Sequence, residues 1–208
     1  MKKLLFVLSL FLFGTANAQK FEGAMEKGLM QFKDAKSADD MLATSSFFER
    51  VADAEKDKWL PYYYAAQTQI LAGWMNPKSD KDKVAEKAKG LILKAELLSP
   101  NNSEIYCLKQ MTAVLQLTVD AMSRWQSYGA IAAEAIAKAK QADPTNPRPF
   151  VLEGEYQINV PEAFGGGKAV AKKLLEKSMT LFENFKPVSP FHPTWGKEQA
   201  TKSLAACQ

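Results

Sequence analysis

Apolar positions recur along most of this chain at spacings of three and four residues, which lines the apolar side chains of each segment along one helical stripe. No stretch sustains the every-second-residue alternation of β-branched side chains between glycine-containing turns that a strand would show. The pattern predicts an all-α protein. One helix is expected near residues 20–33, a second from Ser37 to Lys56, three helical pairs from about 59 to 185, and a short helix after Gly196. The segment from Lys186 to Trp195 carries Pro187, Pro190 and Pro193, each lacking a backbone donor and clashing with the preceding helical turn, so it is expected to be non-helical.

Within the helical region the chain repeats itself. Ala88, Ile92, Ala95 and Pro100 have the same spacing as Ala132, Ile136, Ala139 and Pro144, and Ala171, Leu175 and Ser178 repeat the first three members. Positions separated by four and then three share one helical face, and small residues at either end of the triplet let a neighbouring helix approach closely. The proline ends each of the first two helices, and Pro100-Asn101-Asn102 and Asp143-Pro144-Thr145-Asn146 supply turn and capping chemistry for the next. Each unit is therefore read as two antiparallel helices joined by a turn.

These residues resemble the tetratricopeptide repeat, whose second helix carries small, large, small and proline positions at these offsets. Phe150 and Gly154, Tyr62 and Ala66, and Tyr106 and Gln110 stand where the family's first helix has an aromatic and a small residue. Gln110 departs from that pattern, so the helix contact beside it is expected to be looser. The units are longer than the family's roughly 34 residues, with the excess around Asn76-Pro77 and in the Asp120–Gly129 region, read as an insertion or a helix extension. With Val160-Pro161-Glu162-Ala163-Phe164-Gly165-Gly166-Gly167-Lys168, this is similar to exported tetratricopeptide proteins of Gram-negative bacteria, including the tetratricopeptide component of some periplasmic substrate transporters. The resemblance implies an α-solenoid of helical hairpins with an N-terminal helical region over 19–56, three hairpins over 57–185 and a C-terminal cap over 186–208, in which Phe191 and Trp195 cover the last hairpin. It also implies a concave face lined by the first helices, with Tyr63, Gln67, Met111, Arg148 and Glu155 as the residues that would meet a partner.

The leader decides the compartment. Lys2 and Lys3, the apolar run Leu4–Phe13 and Ala16-Asn17-Ala18 read as a signal peptide over 1–18, cleaved after Ala18. That run is too short to span a bilayer, which takes roughly 20 apolar residues in helical form, and no second one follows, so no integral membrane segment is expected. Location in the periplasm follows, with secretion as the alternative. Taking the two leader lysines from the 27 basic residues leaves 25 against 23 acidic ones, and only Arg50, Arg124 and Arg148 are arginines, which with export argues against a nucleic-acid partner.

Chemistry is sparse. Gly165-Gly166-Gly167-Lys168 lacks the earlier glycine and the following Ser or Thr of a phosphate loop, since position 162 is Glu and 169 is Ala. His192 is the sole histidine, and Cys107 and Cys207 are far apart, so no metal site, cofactor or catalytic constellation is expected. Cys107 reads as a buried thiol and Cys207 as an unpaired one in a frayed end. The lysines at 83, 87, 89 and 94 and at 168, 172, 173 and 177, interleaved with Glu86, Glu96 and Glu176, read as solvated helix faces. The expected function is a non-catalytic scaffold binding a peptide or helix of another envelope protein, the alternative being a small-ligand carrier or transporter-associated binding protein.

Overall fold

A computed structural model describes residues 19–208 of the chain; the signal-peptide reading lies outside the described residues. All regular structure there is helical: α1 (19–34), α2 (Ala38–Ala54), α3 (Trp59–Met75), α4 (Lys81–Leu98), α5 (Ser103–Leu117), α6 (Ala121–Ala142), α7 (Arg148–Ile158), a short 3₁₀ turn (Glu162–Phe164), α8 (Lys168–Asn184) and α9 (Lys197–Ala205). No described helix is long and apolar enough to cross a membrane.

Local chemistry sets the helix starts. Ser37 and Asp40 form a reciprocal capping box at α2, and Asp80, Asn102 and Asp120 cap α4, α5 and α6 by accepting from Lys83, Glu104 and Ser123 backbone amides. Such caps satisfy amide donors that have no partner inside the helix, each contributing about 1 kcal/mol. Asp120 starts α6 so early that the extra residues of the Asp120–Gly129 region lengthen this helix rather than form a loop.

The helices form consecutive antiparallel hairpins, α3–α4, α5–α6 and α7–α8, stacked so that α3, α5 and α7 lie side by side. The repeated triplets are buried in the seams: Ala88, Ile92 and Ala95 on α4, Ala132, Ile136 and Ala139 on α6, and Ala171, Leu175 and Ser178 on α8. Gly154 allows the closest of these approaches, because a Cβ there would stand 2.8 Å from Leu175 Cγ. Beside Gln110, where the family pattern has a small residue, a hollow of about 220 Å³ opens between α5, α6 and α7. The main core joins Met25, Phe48, Tyr63, Tyr64, Ile70, Ile105, Leu108 and Leu115 across α1 to α5, and a second one joins Val151, Leu175, Phe182 and Cys207.

One expectation needs correction, and one reading holds. The C-terminal end is not frayed: Ala200 and Cys207 are buried against α7 and α8, and Cys207 is a free thiol packed in that core. The glycine run is no open cradle, for the amides of Gly165, Gly166 and Gly167 already donate to Glu162, Pro161 and Gln157 carbonyls. Gly165 and Gly167 take φ of 82° and 94°, a left-handed backbone that side chains disfavour, and this turn starts α8.

Candidate ligand groove and the closed concave face

The face formed by α3, α5 and α7 holds a buried polar network. Asn146 accepts the Arg148 amide (3.0 Å) and donates to Glu104 Oε1 (2.7 Å), while Arg148 Nη1 donates to the same oxygen (2.9 Å). Tyr63 Oη reaches Glu104 Oε2 at 3.5 Å. Arg148 is 0% exposed, its guanidinium lying between the rings of Phe185 (4.5 Å) and Trp195 (5.5 Å). Burial pushes the Glu104 carboxyl above the ordinary carboxylate range, against the opposing pull of Arg148 and of its Asn146 and Tyr63 donors. Burial likewise holds the Tyr63 phenol and the Cys107 thiol far above their usual values, so both stay neutral.

The chain's own C-terminal segment covers this network. Tyr64 Oη donates to the Phe191 carbonyl (2.8 Å), Arg148 Nη2 donates to the Pro193 carbonyl, and Trp195 Nε1 donates to Tyr63 Oη (2.8 Å). Phe191 meets Phe21 of α1 edge-on at 6.0 Å. His192 Nε2 stands 3.9 Å from Glu104 Oε1, and burial followed by the Arg148 charge lowers the His192 pKa. The strap thus runs from α8 across α7, α5 and α3 to α1.

Of the five residues expected to face a partner, Tyr63, Gln67 and Arg148 are buried and Met111 is partly so. Glu155 accepts from Ser203 (2.8 Å) and Gln199 of α9. Tyr63 and Arg148 do share one face, but residues 191–195 lie in the space a bound segment would take. The sequence also set His192 apart from the concave face, whereas the structure puts it over Glu104. The reason is that proline-rich chain without helical bonding offers free carbonyls, and the donors of Tyr64 and Arg148 need acceptors once buried.

Open concavities lie elsewhere. One, about 730 Å³ between α1 and α2, is shallow and mixed in character, bordered by Met30 and Phe47 together with the charged Glu26, Lys27, Asp34, Asp40 and Arg50. A groove of about 370 Å³ between α4 and α6 is different in character. Its floor is Thr112 and Ala113 of α5, and its walls are Ile92 and Leu93 on one side and Tyr128 and Ile131 on the other. Leu93 is 57% and Ile131 49% exposed, so its lips are apolar side chains left in water. This volume lies within the range of small-molecule sites, roughly 300–1,000 Å³, and the apolar walls fit that class.

Helix periodicity positions the walls. Ile92 belongs to the buried seam, and Leu93 next to it is turned outward by 100° of helix rotation into the gap that the long α6 overhangs. Arg124 anchors the overhanging half of α6, pairing bidentately with Asp82 of α4 (2.8 and 2.9 Å) and donating to the Gln116 carbonyl (3.1 Å). Its guanidinium lies 5.5 Å over the Tyr128 ring. Gln116, 3% exposed, is among the groove's lining residues, and its Nε2 donates to Asp82 Oδ1 (3.2 Å). Reading the α4 lysines as a solvated face missed this groove; the available signal was Leu93 and Ile131, apolar residues that the seam does not use.

The fold and groove define an all-α helical-hairpin protein with an apolar surface cleft. No protein-family model and no curated protein matches the chain. Among solved structures it is similar to the HusA haemophore from Porphyromonas gingivalis, with a TM-score of 0.83 and 32% identity over 90% of this chain and 92% of that one. The chain belongs to the family of that haemophore.

Proposed function

We propose that the protein is an exported carrier of a flat, mainly apolar small ligand of the haem and porphyrin class, held between α4 and α6 over the floor of α5. The observation that carries this reading is the open apolar groove in a chain of the haemophore's family. Ile92, Leu93, Ala113 and Ile131 offer apolar surface, and Tyr128 an aromatic face, against which a planar ring can stack. Burial of apolar area supplies roughly 25 cal/mol per Å², so a ring covering these walls needs few polar contacts to bind. The lining holds no histidine, cysteine or methionine, and the grip there rests on apolar contact and on the Tyr128 ring.

The same arrangement weighs against a peptide scaffold acting through the concave face, because that face is occupied by residues 191–195. The ligand would be cargo, taken up and released, and no reaction is required of the protein.

The test is a titration of the chain from Gln19 onward with haemin, followed by visible absorbance. Saturable binding is expected, and Leu93→Asp and Ile131→Asp are each expected to weaken it more than tenfold, since a charge on the lip must be desolvated by the ring. Both residues are half-exposed, so circular dichroism should remain unchanged. Equal affinity in both folded variants would remove this groove as the site.

A further inference from the structure

The rim of the groove carries two cations at separate points. Lys89 lies on α4 two turns before Glu96, about 10 Å along the helix axis, and Lys109 extends from α5 to the Glu96 end. In the free protein each is paired with a carboxylate, Lys89 with Glu86 at 2.8 Å and Lys109 with Glu96 at 2.6 Å. Both pairs are partly open to water, with side-chain exposures of 48% and 68% for the first and 34% and 28% for the second. Ion pairs open to water contribute little to stability, so an incoming carboxylate can replace the glutamate at little cost. Lys109 is also held in place, its ammonium lying 5.3 Å over the Tyr106 ring.

Resting on the carrier reading above, we infer that Lys89 and Lys109 are specificity-determining residues that exchange their glutamate partners for acidic groups on the edge of the ligand. The groove then selects a planar apolar ring bearing carboxylates over a ring of the same shape without them. Apolar walls hold the ring, and the lysines set which edge points outward.

The experiment compares protoporphyrin IX with its dimethyl ester, each titrated into the chain from Gln19 onward and read by tryptophan fluorescence quenching at low and high salt. The free acid should bind at least fivefold tighter than the ester at low salt, and the gap should narrow at high salt as exposed charges are screened. Lys89→Met and Lys109→Met should each weaken the free acid about fivefold and leave the ester unchanged. Glu96→Gln, which frees Lys109, should tighten the free acid and not the ester. Equal binding of acid and ester by the unaltered protein, or loss of both ligands alike in the lysine variants, would overturn the inference. Leu93→Asp tells the two readings apart: if it leaves both ligands bound as before, the groove itself is not the site, whereas its loss of both with no acid–ester difference refutes the lysine role alone.

Discussion

Trp195 donates its indole proton to Tyr63 Oη across 2.8 Å, joining positions 132 residues apart. Tyr63 is fully buried on α3 in the first hairpin, and Trp195 closes the strap that leaves the last one. A stack of hairpins contacts mainly its sequence neighbours and can fray from either end. Here the strap ties the two ends, so the concave face becomes part of the core.

Trp195→Ala should therefore destabilise the whole chain by about 3 kcal/mol, as for other large aromatic truncations. Tyr63→Phe, which removes only the hydroxyl, should cost about 1–2 kcal/mol by leaving the indole donor without its acceptor. Chemical denaturation followed by circular dichroism measures both. A Trp195→Ala chain as stable as the parent would mean the strap is ornamental.

Arg148 and Glu104 are buried at 0% and 2% exposure and bonded at 2.9 Å. Removing either partner strands a charge in the core, so Arg148→Met and Glu104→Leu should each cost about 3–5 kcal/mol. The double variant Glu104→Leu with Arg148→Met should cost less than the two single losses added together, because no stranded charge remains. Strict additivity in this double-mutant cycle would show that the pair does not interact.

Acid should act on this cluster through His192. Its folded pKa is lowered by burial and by Arg148, so below its ordinary value of 6.5 the unfolded chain takes up a proton that the folded one refuses. Stability contributed by neutral His192 is present above pH 6.5 and lost as pH falls through the lowered folded value. Glu104, with a raised pKa, works in the opposite sense: its contribution is present below about 4.5 and is lost as pH rises through its folded value. Asp143 adds a smaller upward pull on His192. The melting temperature of the parent relative to that of His192→Gln should therefore fall as pH drops below 6.5. Parallel curves for the two proteins would remove His192 as the acid-sensitive group.

The helices, their caps and the seam were legible because they depend on residues close in sequence. Asn102 capping the helix after Pro100, Ala88 with Ile92 and Ala95, and the proline stops all act within two helical turns, where spacing alone fixes which side chains share a face. The existence of a non-helical segment over 186–195 was equally legible, since proline denies helix whatever surrounds it. Where that segment goes was not. Its docking depends on Tyr64 and Arg148 donating to the Phe191 and Pro193 carbonyls and on Tyr63 accepting from the Trp195 indole, contacts spanning 127, 45 and 132 positions, and nothing local encodes such pairings. The same holds for the α4–α6 groove. Leu93 and Ile131 read as scattered exposed apolar residues until the hairpins stack and the long α6 overhangs α5, and only then do they face one another across a cleft. Periodicity thus determined the helices and their buried stripes, while tertiary packing decided which face of the stack closed on its own tail and which stayed open, because that choice depends on how surfaces far apart in the chain compete for the same burial.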